Sequence, residues 1–263
     1  MNKKIIIQGI IFLLLLGISV NVFFFDTASS IPNDKETIPQ LSFEEGNKTV
    51  DNQIQIIMYN LQKWIVYPDN SDIYVYTITD LDQNGRIEII SHTMGGTGFF
   101  SDNKIFEVNT DYNGIELCNI ISTENSQADI GYPSYPVYYN IEKNQYAYIV
   151  DDISRNGSGE QYFNIRAMIL KNGEIKEILL GYQSIIHSID EFSDEILTNV
   201  TTTNAIGDII SQEEYENIAK DFFVSEEKLN AKIKWERIPQ ELGFQEMYDL
   251  LSKCFEGFEI TED

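Results

Sequence analysis

Short runs of β-branched and aromatic residues, separated by polar turns, follow one another through most of this sequence, and this pattern predicts a β-sheet. Two of the turns, Asn172-Gly173 and Asn113-Gly114, combine residues that tolerate positive φ, which favours tight hairpins. Strands joined by tight turns pair antiparallel, because parallel pairing needs a long crossover connection. The predicted strands are 73–79, 86–93, 104–109, 115–122, 137–141, 145–151, 161–170, 174–186 and 195–203.

Helical periodicity is found at the two ends of this strand region. An apolar stripe predicts a helix over 49–66, and the capping-box pair Ser211 and Glu214 begins a second helical stretch. One more strand is expected over 232–238, ahead of a final amphipathic helix. The expected fold is α+β, an antiparallel meander sheet with flanking N- and C-terminal helices, in a single domain of residues 42–263. The stripe of the first helix consists of Val50, Ile54, Ile57, Met58, Leu61 and Ile65.

The first 25 residues have the composition of a targeting segment. Lys3 and Lys4 precede an apolar run over 5–25, which as a helix would be about 31 Å long and match a bilayer core. Both a cleaved signal peptide and a retained membrane anchor fit this run, and either places the rest of the chain outside the cytoplasm. Residues 26–41 are polar and are expected to form a linker. The protein is therefore expected to be secreted or anchored to the cell membrane by its N-terminal segment.

Net charge narrows the range of partners. The chain carries a formal charge of −24 at pH 7, and such a field repels nucleic-acid phosphates and anionic lipid while it attracts divalent cations. We therefore expect no nucleic-acid partner, and membrane contact through the N-terminal segment alone. Two cysteines, Cys118 and Cys254, could pair in an oxidising compartment, although the patterns around them are more typical of buried free thiols.

One motif in the sequence carries a chemical mechanism. Residues 80–88, DLDQNGRIE, fit the pattern D-x-D-x-[DN]-G-x-x-[DE]. Calcium prefers six to eight oxygen ligands, and alternate positions of such a loop can turn their oxygens toward one ion while the glycine allows a sharp bend. The expected ligands are the side chains of Asp80, Asp82, Asn84 and Glu88 and the main-chain carbonyl of Arg86.

The surroundings of this motif differ from those of an EF-hand. Strand-like runs flank it on both sides, and its twelfth position is Ser91 rather than a bidentate glutamate. A metal-free hairpin turn centred on Asn84-Gly85 is the alternative. Calcium is favoured because convergent carboxylates repel one another unless a cation or additional hydrogen bonds compensate. A bound ion is expected to be structural rather than catalytic.

The motif resembles the strand-loop-strand calcium loops of bacterial surface proteins, such as FG-GAP and VCBS-type repeats. It is also similar to an EF-hand-like stretch in exported proteins of low-GC Gram-positive bacteria. Asp80, Asp82, Asn84 and Glu88 match that pattern position by position, whereas Ser91 departs from it. The resemblance implies a calcium loop and an extracytoplasmic location, and it implies no reaction.

A second, weaker copy of the motif begins at Asp152. It aligns with the first copy at Asp152, Asn156, Gly157 and Glu160, but Ser154 stands where the first copy has Asp82. The loss of a carboxylate weakens metal binding, so the second copy is a weak candidate for a further calcium site. A related turn without metal explains the same residues.

The sequence contains no complete catalytic motif, and no catalytic residue is predicted. A binding or recognition role at the cell surface is expected, with cell-wall glycan or another surface protein as the partner. A carbohydrate or cell-wall binding module is the alternative, because exposed tyrosines stack on sugars. A hydrolase acting on an envelope polymer is a further alternative. The tyrosines in question are Tyr132, Tyr135, Tyr138 and Tyr139.

Overall fold

The structure is a computed structural model that describes residues 48–66, 73–95, 100–121, 130–157, 159–189 and 196–262. These residues all belong to one compact unit, Ser42–Asp263. The unit is mixed α+β and its sheets are built mainly from antiparallel pairs, which confirms the predicted fold class. The N-terminal targeting segment and the linker that the sequence predicts lie outside the described residues. None of the helices in the described ranges has the length and apolar character of a membrane span.

The first sheet has four strands in the order β1-β2-β3-β4, and each is antiparallel to the next. In β1 the observed bounds equal the prediction, and Thr79 at its end pairs with Glu88 at the start of β2. The bounds are β1 Ile73–Thr79, β2 Glu88–Gly95, β3 Phe100–Val108 and β4 Ile115–Leu117.

The second sheet has eight strands. Seven follow the antiparallel order β10-β9-β8-β7-β6-β11-β12, and β5 pairs with β9 in parallel. The Asn172-Gly173 turn joins β8 to β9 with positive φ at both residues, as predicted. The bounds are β5 Asn119–Ile121, β6 Ser134–Asn140, β7 Gln145–Asn156, β8 Glu160–Lys171, β9 Glu174–Ile189, β10 Ile196–Asn204, β11 Glu227–Lys232 and β12 Glu259–Glu262.

Two strand predictions need correction. The predicted strand 115–122 is divided at Cys118, because the Cys118 N–H bonds to the first sheet at Ile105 whereas the Asn119 N–H bonds to the second at Gly173. The chain thus passes from one sheet to the other at this point. The strand predicted over 232–238 is also wrong in position: β11 ends where that range begins, and within the range Glu236 makes an isolated bridge to β1.

Five helices are present in the described ranges. The helix predicted over 49–66 is interrupted at Asn60, whose side-chain amide bonds back to the carbonyl of Ile56. The capping box of Ser211 and Glu214 is formed as predicted. The bounds are α1 Val50–Tyr59, α2 Leu61–Trp64, α3 Gln212–Glu216, α4 Ile218–Phe222 and α5 Phe244–Glu256.

The first sheet is buried on both faces. Ile89 packs in a cluster with α1 and α5, while its neighbour Ile90 packs in a cluster with Tyr148 and Val150 of the second sheet. Helices α1 and α5, the first sheet and the second sheet therefore form successive layers, and α4 packs on the opposite face of the second sheet. Cys118 and Cys254 are buried free thiols, which confirms that interpretation over a disulfide.

Candidate metal centre

Residues 80–87, here called the acidic loop, connect β1 to β2. The loop begins and ends at the Thr79–Glu88 pair, so the antiparallel register brings Glu88 back beside the start of the loop. Positive φ occurs at Gln83 and Gly85, rather than at Asn84 as a turn centred on Asn84-Gly85 would suggest. Glycine at position 85 relieves the backbone strain that a side chain would suffer at φ 83°.

Asp80 closes the loop on itself. Its two carboxylate oxygens accept the N–H groups of Asn84 at 3.0 Å and Gly85 at 3.1 Å. Burial raises the pKa of Asp80 to about 6, although these backbone N–H groups favour the charged form. The net effect is a carboxyl group that resists ionisation in the absence of a cation.

Glu88 is fully buried, and only one of its two oxygens has a partner. Oε2 accepts hydrogen bonds from the Leu81 N–H at 2.8 Å and from the Thr79 hydroxyl at 3.0 Å. Oε1 is buried without a hydrogen-bond partner. Burial raises the pKa of Glu88 well above its usual value, and the nearby charges of Asp80 and Asp82 raise it further. A buried acceptor without a donor is costly, so a ligand at Oε1 would be stabilising.

Asp82 completes what we call the carboxylate cluster, which consists of Asp80, Asp82 and Glu88. Each of these residues offers a carboxylate oxygen, and the three oxygens lie within 4.8 Å of one another. Asp82 is 7% exposed and accepts the Asn172 N–H at 2.9 Å, so the β8–β9 turn helps to fix it. This cluster can hold a metal ion.

Of the other two predicted ligands, Asn84 contacts the carboxylate cluster through its amide nitrogen, and Arg86, whose main-chain carbonyl was the predicted ligand, directs its side chain to Glu107. The Asn84 amide oxygen accepts the Arg86 N–H at 2.7 Å, and its Nδ2 donates to Asp82 and to Glu107. The Arg86 guanidinium forms an ion pair with Glu107 at 2.8 Å and bonds to the carbonyl of Val108. The loop's only basic side chain is therefore used by Glu107, a residue outside the motif.

Three residues that support the loop were missed by sequence reasoning. Glu107 on β3 lies directly opposite Glu88, and burial raises its pKa while Asn84 and Arg86 lower it. Gln53 of α1 is buried, and Tyr148 donates its hydroxyl hydrogen to the Leu81 carbonyl at 2.7 Å. A signal existed for two of them: Gln53 interrupts the apolar stripe of a helix, and Glu107 interrupts an apolar strand.

The second copy of the motif does not form a comparable cluster. Asp152 lies within β7 and faces Asn164 and Arg166 of β8, at 3.2 Å and 4.0 Å. Asn156 and Glu160 bond to each other at the hairpin end, four residues or about 13 Å further along the strand. The extended strand separates residues that a loop would have brought together, so the candidate site near Asp152 is not supported.

The tyrosines expected to bind sugars are distributed between core and surface. Tyr135 and Tyr138 are buried, the latter stacked on Phe223, whereas Tyr132 is about half exposed at 49%. Tyr139 is partly buried and stacks on Tyr146. Alternation along β6 explains why neighbouring tyrosines point to different environments. Packing thus accounts for the two most buried members of the group.

No protein-family model, no curated protein and no solved structure matches this chain. Its function must therefore be inferred from the chemistry of the acidic loop and its surroundings.

The raised pKa of Asp80 predicts how the metal-free protein responds to pH. Between its unfolded pKa of 3.8 and its folded pKa of about 6, the folded state keeps a proton that the unfolded state loses. Stability contributed by this group is therefore lost as pH rises through that window. Urea denaturation in chelator should show the parent losing stability relative to Asp80→Asn over this range. Equal pH dependence of the two proteins would contradict the prediction.

Proposed function

We propose that the acidic loop binds one structural calcium ion through Asp80, Asp82 and Glu88, in an extracytoplasmic protein with a binding or recognition role. The observation that carries this proposal is the fully buried Oε1 atom of Glu88, which has no hydrogen-bond partner and belongs to a group of three convergent carboxylates. A cation bound by the three carboxylates would neutralise their mutual repulsion, and contact with Oε1 of Glu88 would also satisfy the buried acceptor.

The chemistry of the donors favours calcium over other metal ions. The carboxylate cluster offers only oxygen, which suits a hard cation, and zinc sites are usually built with histidine or cysteine. Calcium tolerates irregular geometry, whereas magnesium needs a near-ideal octahedron. We propose the Asn84 amide oxygen and the Arg86 main-chain carbonyl as additional ligands. For Asn84 to bind the ion, its amide oxygen must give up the hydrogen bond from the Arg86 N–H.

Enclosure of the site favours a structural role for the ion. Glu88 and Asp82 are buried and only Asp80 is partly exposed, so most of the surroundings of the ion would be closed to a substrate. The ion would instead stabilise the hairpin that joins β1 to β2. With millimolar calcium outside the cell and a dissociation constant near 0.1 mM, the stabilisation would be about 1.4 kcal/mol.

Thermal unfolding in calcium and in chelator tests the proposal. Calcium should raise the midpoint of the parent, and magnesium should raise it less. Asp82→Asn should abolish most of the shift, because it removes one of three charges while it keeps an acceptor for the Asn172 N–H. Asp152→Asn is the matched control and should keep the full shift. A parent protein that melts at the same temperature in both buffers would refute the calcium site.

A further inference from the structure

Strand β10 lies at one end of the spatial order of the second sheet, so one side of the strand has no neighbouring strand among those described. The Thr202 carbonyl and the Asn204 N–H both bond to residues 208–210, on the side away from β9. In an antiparallel strand the N–H and the C=O of one residue point to the same side. The backbone groups of every even-numbered residue of this regular strand therefore point away from β9. The outward residues before Thr202 are Ile196, Thr198 and Val200, here called the free edge. Among the described strands, the free edge has no partner.

The free edge lacks the usual protection of an exposed strand. Natural edge strands avoid pairing with other chains by means of charged side chains, proline or bulges. β10 contains none of these, and its register with β9 is regular. The paired half of β9, residues 181–189, also contains no acidic residue, lysine or arginine. This absence is unusual in a chain with 42 acidic residues.

One face beside the free edge carries two apolar pairs, one on each side of the Thr198–His187 pair, whose side chains hydrogen-bond to each other at 2.9 Å. Ile196 pairs with Ile189, and Val200 pairs with Ile185, so all four side chains lie on the same face of the sheet. Ile189, Ile196 and Val200 are 69%, 72% and 50% exposed. Exposed β-branched residues beside unpaired backbone groups are the features that allow a further strand to be added.

We propose that the free edge pairs antiparallel with the free edge of a second copy of this chain, across a two-fold axis at Thr198. The side chains of residues directly opposite each other in an antiparallel ladder point to the same face. A two-fold axis perpendicular to the sheet therefore pairs even-numbered residues, which carry the free backbone groups, with even-numbered residues of the second copy. Thr198 then lies opposite Thr198 of the second copy, and Ile196 lies opposite Val200. Both kinds of cross-strand pair are favourable.

The distribution of charge favours a second copy of this chain as the partner of the free edge. Two chains that each carry −24 repel one another over most of their surface, and the repulsion is smallest where neither side is charged. The free edge meets that condition, and its residues are complementary to themselves under the two-fold axis. A basic partner would instead prefer the acidic remainder of the surface.

Sedimentation of the full-length chain tests this pairing. The parent should convert from monomer to dimer over a range of about 1 to 500 µM. Thr198→Lys places two like charges on the axis and should weaken association about tenfold or more. Ile141→Lys adds the same charge far from β10, at an isoleucine that is 77% exposed in the turn between β6 and β7, and it should leave association unchanged. A parent that stays monomeric, or a dimer that tolerates Thr198→Lys, would overturn the proposal.

Oxidative cross-linking tests the register separately from the affinity. Across the axis the two Thr198 Cα atoms would lie about 5.5 Å apart, within disulfide range, so Thr198→Cys should form a covalent dimer. The two Ile196 residues would be offset by about 13 Å along the strands, so Ile196→Cys should not. The parent is the background control, since both of its cysteines are buried. Efficient cross-linking of both variants, or of neither, would overturn the two-fold pairing, whereas it would leave the calcium proposal untouched.

Discussion

Glu88→Gln is expected to stabilise the calcium-free protein at neutral pH and to abolish its response to calcium. The substitution keeps an acceptor for Leu81 and Thr79 and replaces the unpartnered oxygen with an amide that can donate to the neighbouring carboxylates. The buried acceptor is then satisfied and the side chain is neutral without taking up a proton, which we expect to contribute about 1–3 kcal/mol. Denaturant unfolding in chelator and in calcium measures both effects.

Glu107→Gln is the matched control for this prediction. Glu107 lies directly opposite Glu88 in the ladder and is also buried, but its charge is already paired with Arg86 at 2.8 Å. The same substitution there leaves the partly buried Arg86 guanidinium with a weaker partner and should destabilise the protein. Opposite signs for the two variants would indicate that the carboxylate of Glu88 lacks a cationic partner, whereas Glu107 already has one in Arg86. A Glu88→Gln protein that is less stable in chelator, or still stabilised by calcium, would contradict the prediction.

Gln53→Ala should be the most destabilising polar substitution near the loop. The Gln53 amide donates to the Gly85 carbonyl at 2.9 Å, and its oxygen accepts the Ile87 N–H at 2.9 Å. Alanine would leave the buried Ile87 N–H without this acceptor, whereas the carbonyl of the exposed Gly85 can bond to water instead. One buried group without a partner costs about 1–3 kcal/mol of unfolding free energy. The acidic loop would also lose its support from α1, so the calcium affinity should fall in titration calorimetry.

Gln245→Ala controls for the loss of a helical glutamine. Gln245 is exposed on α5 and bonds to Asp249, and surface changes of this kind stay within about 0.5 kcal/mol. Equal, small effects of the two substitutions would show that the contacts of Gln53 with the loop do not matter.

Local chemistry was sufficient to predict the hairpins and the centre of the site. Strand β1 and the Asn172-Gly173 turn follow the prediction because a two-residue period and positive φ are properties of short segments. Asp80, Asp82 and Glu88 converge because they share one hairpin, and the antiparallel register returns Glu88 to the loop. For the same reason the second copy failed: identical residue types at Asp152 and Glu160 are held apart by an extended strand.

Long-range packing explains what could not be predicted. Gln53 and Glu107 reach the acidic loop from elements that are distant in sequence, and nothing in the motif specifies them. The division of 115–122 at Cys118 depends on two sheets competing for adjacent backbone groups. A local contact, in contrast, accompanies the difference at Asn113-Gly114: positive φ falls on Tyr112, and the Asn109 side chain accepts the N–H groups of Asn113 and Gly114.

The hydrogen bond from the Asn172 N–H to Asp82 joins residues that are 90 positions apart. During synthesis, the β1–β2 hairpin emerges long before the β8–β9 turn that completes its environment. Contacts of such separation slow folding, because chain entropy is lost before the contact forms. The proposed calcium ion should therefore bind late, after the second sheet has assembled, and it should slow unfolding more than it accelerates folding.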